Sequence, residues 1–267
     1  MNINSESSEI KNSPQRRLTR FFGLLLLISI PIWIISALTK QFIPEGLPIN
    51  HIGFILVFAP AIVAFILNYR DYGKETAKKL LKRAFDYKRI EHKIWYLPIL
   101  FLLPIMSFLT LGLIIILGMQ FNENSITFEI LPLLFIVFII FAIGEEVGWQ
   151  GYVFDAMQTK WKNLNSAIIL GIIWPIWHIP LFIIQEPPAG LIWILSQCLY
   201  MVVLRVLIVW IFNNTNRSIF GAILIHAISN LCTMILPIYS IPLATLITSL
   251  MIIITLIIGI SLKKIKK

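Results

Sequence analysis

A chain of 267 residues that is 58% hydrophobic and 13% charged, with a mean hydropathy of +0.86, is far from the roughly 25% charged residues of an ordinary soluble domain. That composition excludes a soluble enzyme and describes a polytopic membrane protein. The net charge of +9 does not point to nucleic acid, because such a binder gathers its basic residues on a solvated domain and no such domain is visible.

Residues 1–20 are polar, rich in serine and asparagine, and predicted to form a disordered cytoplasmic N-terminus. The first apolar run, from Phe21 to about Leu38, has no small-residue cleavage site and is read as a retained helix, not a signal peptide. A helix needs about 20 mainly apolar residues to cross the hydrocarbon. Eight stretches qualify, near 21–38, 51–68, 95–118, 130–154, 165–185, 189–212, 217–236 and 238–262. The expected architecture is an all-α membrane bundle of about eight transmembrane helices filling residues 21–262. The fourth stretch exceeds the need, so its last turns are expected to emerge into water.

Between the second and third spans, "YRDYGKETAKKLLKRAFDYKRIEHK", residues 69–93, mixes apolar and basic residues at helical spacing. It reads either as a surface helix on the anionic inner leaflet or as a solvated connector. Cys198 and Cys232 lie within apolar runs and imply no disulfide framework. No internal repeat supports a transporter built from inverted halves.

Short cytoplasmic segments carry the excess of lysine and arginine. With the N-terminus inside, twenty of the 22 basic residues fall on the cytoplasmic side, leaving Lys40 outside and Arg205 within the sixth span. An even number of spans with both termini cytoplasmic follows.

The polar residues inside the apolar runs carry the chemistry. A carboxylate near the bilayer centre costs about 2.5 kcal/mol or more, yet "FAIGEEVGWQGY" places Glu145 and Glu146 at the end of an oily run. "WPIWHIP" carries His178 in the fifth span, and "HAISN" carries His226 and Asn230 in the seventh. Residues four apart share a helix face, so His226 and Asn230 point the same way. At 1.5 Å per residue, Glu145 lies about 15 residues into its span from outside, and His178 and His226 about 13 and nine from inside. Those depths permit one shared site. Trp149, Trp174 and Trp177 read as packing or interface anchors.

In that order, "GEEVGWQGY", "WPIWHIP" and "HAISN" resemble the three motifs of the CPBP intramembrane proteases, the family of type II CAAX prenyl endopeptidases and of bacteriocin-processing or immunity (Abi) proteins. The resemblance covers roughly residues 130–236. It implies that Glu145 is the catalytic carboxylate, assisted by His178, with Glu146, His226 and Asn230 completing the site. Elementary chemistry permits this: a carboxylate desolvated among apolar helices accepts a proton from water, and His226 and Asn230 can donate to a developing oxyanion, at about 3 kcal/mol per good donor. Alternatively, Glu145, His178 and His226 could ligate one divalent metal such as zinc; no HExxH helix is present to hold it. The expected cofactor is therefore none, or one such metal.

One position departs from the family pattern. Where an arginine is usual this chain has Gln150, on the face of Glu146. Glu146 is then either protonated or paired with Arg205.

The sequence thus points to an intramembrane endopeptidase acting on a membrane-associated peptide or protein, with the lipid bilayer as its surroundings and the bacterial plasma membrane as its expected location. A link to bacteriocin processing or immunity is the more specific expectation. The alternatives are a non-catalytic immunity or scaffold protein with the same fold, and an ion-coupled transporter.

Overall fold

A computed structural model describes residues 13–39, 52–120, 128–184 and 190–265. Among these there are nine helices and no strands: α1 (Pro14–Thr39), α2 (Ala59–Tyr72), α3 (Lys74–Lys82), α4 (Tyr96–Ile116), α5 (Leu131–Gly148), α6 (Asn163–Ile184), α7 (Leu191–Asn214), α8 (Ile219–Ile235) and α9 (Pro242–Ile265). A 3-10 turn, Ile52–Phe58, leads into α2, and α5 continues through a π-helical segment, Trp149–Phe154, to Met157. Each of the eight apolar stretches is helical over most of its described residues. Seven are long and apolar enough to cross a membrane, while α8, at 17 residues, is roughly 25 Å long. The protein is an integral, multi-pass membrane protein.

Unlike that of a water-soluble bundle, the outer face is apolar, over an interior that is itself largely apolar. Large aliphatic side chains lie on the outside, among them Leu27 at 68% and Ile116 at 82% exposure, whereas Ser29, Ser36, Ser107, Thr110, Thr245, Thr248 and Ser249 are buried. With lipid as the solvent, apolar side chains can face outward, and small and hydroxyl residues join the large apolar ones at the helix contacts. Between α4 and the chain around α9, Ser107 and Tyr239 share a hydrogen bond of 2.7 Å and Thr110 and Thr248 one of 2.9 Å.

α1 begins at Pro14, so the stretch 1–20 expected to be disordered is helical in its last seven residues; residues 1–12 lie outside the described residues. Arg20 explains the extension, since its Nη1 donates to both carboxylate oxygens of Asp71 at the end of α2, at 2.9 and 3.1 Å. The connector over residues 69–93 contains α3, which buries Ala77 and Leu80 and exposes Lys78, Lys79 and Lys82. The end of the fourth stretch is not in water. Trp149 to Phe154 are buried because Phe21 of α1 packs against Trp149 and Tyr152, with ring centroids 5.6 and 5.7 Å apart, and α3 lies over the segment.

Candidate active site

Two glycines frame the glutamates and decide where they point. A Cβ at Gly144 would lie 2.5 Å from the carbonyl oxygen of Val57, and one at Gly148 would lie 2.4 Å from the carbonyl carbon of Pro60. The sequence "GEEVG" is therefore a small-xxx-small contact that seats α5 directly on the backbone leading into α2. Glu145 and Glu146, between the two contacts, turn into the bundle and are buried, at 4% and 0% exposure. The chain then widens into the π-helical segment 149–154, a distortion that often accompanies functional sites.

Adjacent on one helix, the two carboxylates meet different partners. Glu145 accepts a 2.7 Å hydrogen bond from Nε1 of Trp174 on Oε2, and its Oε1 lies 3.8 Å from Nε2 of His178. His178 in turn places Nδ1 3.0 Å from the carbonyl oxygen of Trp174. Because a carbonyl only accepts, Nδ1 carries the hydrogen, and in a neutral ring Nε2 presents its lone pair toward Glu145. Glu146 accepts from Nη1 of Arg205 at 2.7 Å on Oε2 and from Nδ1 of His226 at 2.8 Å on Oε1.

A cavity of about 500 Å³ opens beside this group. Glu145, His178, His226 and Asn230 all line it, whereas Glu146 and Arg205 are not among its lining residues. Its remaining walls are mainly apolar and aromatic, including Phe138, Phe141, Leu181, Phe182, Trp193 and Met201, with Gln197, Tyr200 and Ser229 adding polar atoms. α5, α6 and α8 thus converge at one depth, and four of the five residues singled out from sequence share one cavity. The fifth, Glu146, sits behind it.

The set Glu145, His178 and His226 does not form a metal cage. Among the described residues no three His, Cys, Asp or Glu side chains are grouped as ligands. Trp174 contacts both imidazoles edge-on, at centroid distances of 5.6 Å from His178 and 5.2 Å from His226, while its N–H occupies one oxygen of Glu145.

Three features escaped the sequence reading or were resolved only in space. Trp174, read as packing, hydrogen-bonds Glu145; its signal was the i,i+4 spacing to His178. Arg205 finds Glu146, the second of the two states left open for that carboxylate. Gln150 does not bond Glu146, and both atoms of its amide are buried without a hydrogen-bond partner. The other two tryptophans do pack, Trp149 and Trp177 lying 5.7 Å apart, and Cys198 and Cys232 are free thiols.

The profile of the type II CAAX prenyl endopeptidase Rce1-like family matches residues 127–232, the segment that contains this cavity's polar residues. Over 188 residues the chain is 31% identical to CAAX prenyl protease 2 of Methanococcus maripaludis, an alignment spanning 66% of this chain and 68% of that protein. The chain belongs to the type II CAAX prenyl endopeptidase family. As a prenyl endopeptidase family member embedded in the bilayer, it carries the family segment on α5 through α8.

Proposed function

We propose that this protein is an intramembrane endopeptidase in which Glu145 activates water for hydrolysis of a peptide bond in a membrane-associated peptide or protein. The observation that carries the reading is the division of labour between the neighbouring acids: Glu145 faces the cavity beside His178, His226 and Asn230, while both oxygens of Glu146 are occupied behind it.

The 3.8 Å separation of Glu145 Oε1 from His178 Nε2 is too long for a good direct hydrogen bond but suits a water donating to both. Glu145 takes a proton from that water as its oxygen attacks the scissile carbonyl, and later gives the proton to the leaving amine. His226, held by Glu146 on Nδ1, presents Nε2 to the cavity; protonated there, it joins the Asn230 amide in donating to the oxyanion. The aromatic and aliphatic walls suit a lipid-like or apolar substrate segment near the scissile bond. No step is assigned to a metal, and Glu145 supplies the base in its place.

The test uses purified protein in liposomes with an internally quenched farnesylated CAAX peptide, and the same peptide without its lipid. Cleavage by the parent should fall by roughly 10²–10⁴-fold in Glu145→Gln, the range of lost general-base catalysis, and should survive a chelator. Turnover abolished by chelation and restored by zinc would replace this mechanism with a metal-dependent one. Parental turnover by Glu145→Gln would remove Glu145 from the chemistry altogether.

A further inference from the structure

Arg205 lies within α7 with no exposure, outside the cavity, yet it reaches both halves of the site. Its Nη1 donates to Glu146 Oε2 at 2.7 Å, and the other oxygen of Glu146 holds His226. Its guanidinium carbon also sits 4.1 Å from the centroid of the Trp174 ring, and that indole donates to Glu145. One cation therefore touches both the carboxylate that holds His226 Nδ1 and the indole that donates to Glu145. The backbone is arranged to allow this. A Cβ at Gly171 of α6 would lie 3.2 Å from the Val202 carbonyl oxygen and 3.5 Å from Arg205 Cβ. Glycine there lets α6 and α7 approach closely, one turn from the point where Trp174 meets the guanidinium.

We propose that Arg205 is a positioning residue, a brace that fixes Glu145 and His226 relative to each other through Trp174 and Glu146. The inference rests on the reading of Glu145 as the base. Only arginine meets both demands at once, because its planar group can stack on an indole while an edge N–H pairs with a carboxylate; a lysine ammonium is a point charge without that face. A purely structural role is the competing account. A buried ion pair is a poor source of stability, since desolvation offsets most of its attraction, and apolar replacements of a whole pair are often neutral. Stability alone therefore gives little reason for an arginine here. Geometry at the two catalytic arms does.

The experiment compares Arg205→Lys, Arg205→Gln, the double variant Glu146→Gln/Arg205→Gln and Glu145→Gln, on the farnesylated peptide in liposomes, with kcat and KM separated and thermal unfolding followed in parallel. Arg205→Gln should lower kcat about 100-fold, the scale of a 1 Å misplacement of reacting groups, with KM held within about twofold because the cavity walls are untouched. Arg205→Lys should recover only part of that loss. The double variant leaves no unpaired buried charge and serves as the folded comparator; it should remain as slow as Arg205→Gln. Full recovery of kcat in the lysine or the double variant would reduce Arg205 to charge compensation and overturn the brace. So would parental kcat in Arg205→Gln while Glu145→Gln is inactive, an outcome that leaves the proposed reaction standing. Parental kcat in Glu145→Gln would instead sink the reading beneath it.

Discussion

Glu145 and Glu146 differ by one position in the chain and by everything that surrounds them. Both oxygens of Glu146 are filled, and that sets what its removal does. Glu146→Gln leaves the Arg205 cation buried beside a neutral amide, and breaking a buried pair from one side costs about 3–5 kcal/mol. Its thermal midpoint should therefore fall well below that of Glu145→Gln, which strands no opposite charge; equal midpoints would show that Arg205 finds another partner. Trp174→Phe keeps an aromatic face over Arg205 but removes the N–H donated to Glu145, together with part of the ring. A hydrogen bond to a charged group is worth about 1.5–3 kcal/mol, so kcat should drop roughly 10- to 100-fold with the fold intact. Gln150 can be tested in the same way. Arg205 and His226 already occupy both oxygens of Glu146, so Gln150→Arg should lower thermal stability, as a second cation enters a filled and fully buried position.

At the scale of the element, α5 is set by its glycines more than by its apolar residues. Gly148→Ala would drive a methyl against Pro60 backbone, which cannot rotate away, whereas Gly151→Ala would meet the ends of two flexible side chains, Ile219 Cδ1 at 2.7 Å and Leu80 Cδ1 at 3.0 Å. Overpacking costs typically 1–3 kcal/mol. Gly148→Ala should sit at or above the top of that range and displace the glutamates from the cavity, lowering both thermal stability and turnover. Gly151→Ala should be milder in both. If the two variants unfold at the same temperature, the backbone contact is not what holds α5 in place.

The whole molecule presents a topology that the charge distribution orients. Arg83 of the segment after α3 and Arg217, just before α8, both pair with Asp155 at the end of α5. Three connections are thereby tied at one end of the bundle, the end where the basic residues gather. We expect that end to be cytoplasmic. Reporters inserted at Lys162, between α5 and α6, should read as internal and at Gly190, ahead of α7, as external; the opposite pattern would invert the assignment by the lysine and arginine excess.

Much of this was legible from residue order. Hydropathy alone defined the eight helical stretches, because burying a backbone in lipid demands helices of a set length, and the cost of polar groups in lipid singled out Glu145, His178, His226 and Asn230, which share one cavity in the folded chain. The tertiary structure decided what depends on contacts between distant segments: that Arg205 faces Glu146, that Trp174 belongs to the site, and that the turns after Glu146 are buried under α1 and α3. Depth along each helix is set by the chain's own length and polarity. Rotation of one helix against another is set by which glycine meets which backbone, and no single segment carries that information.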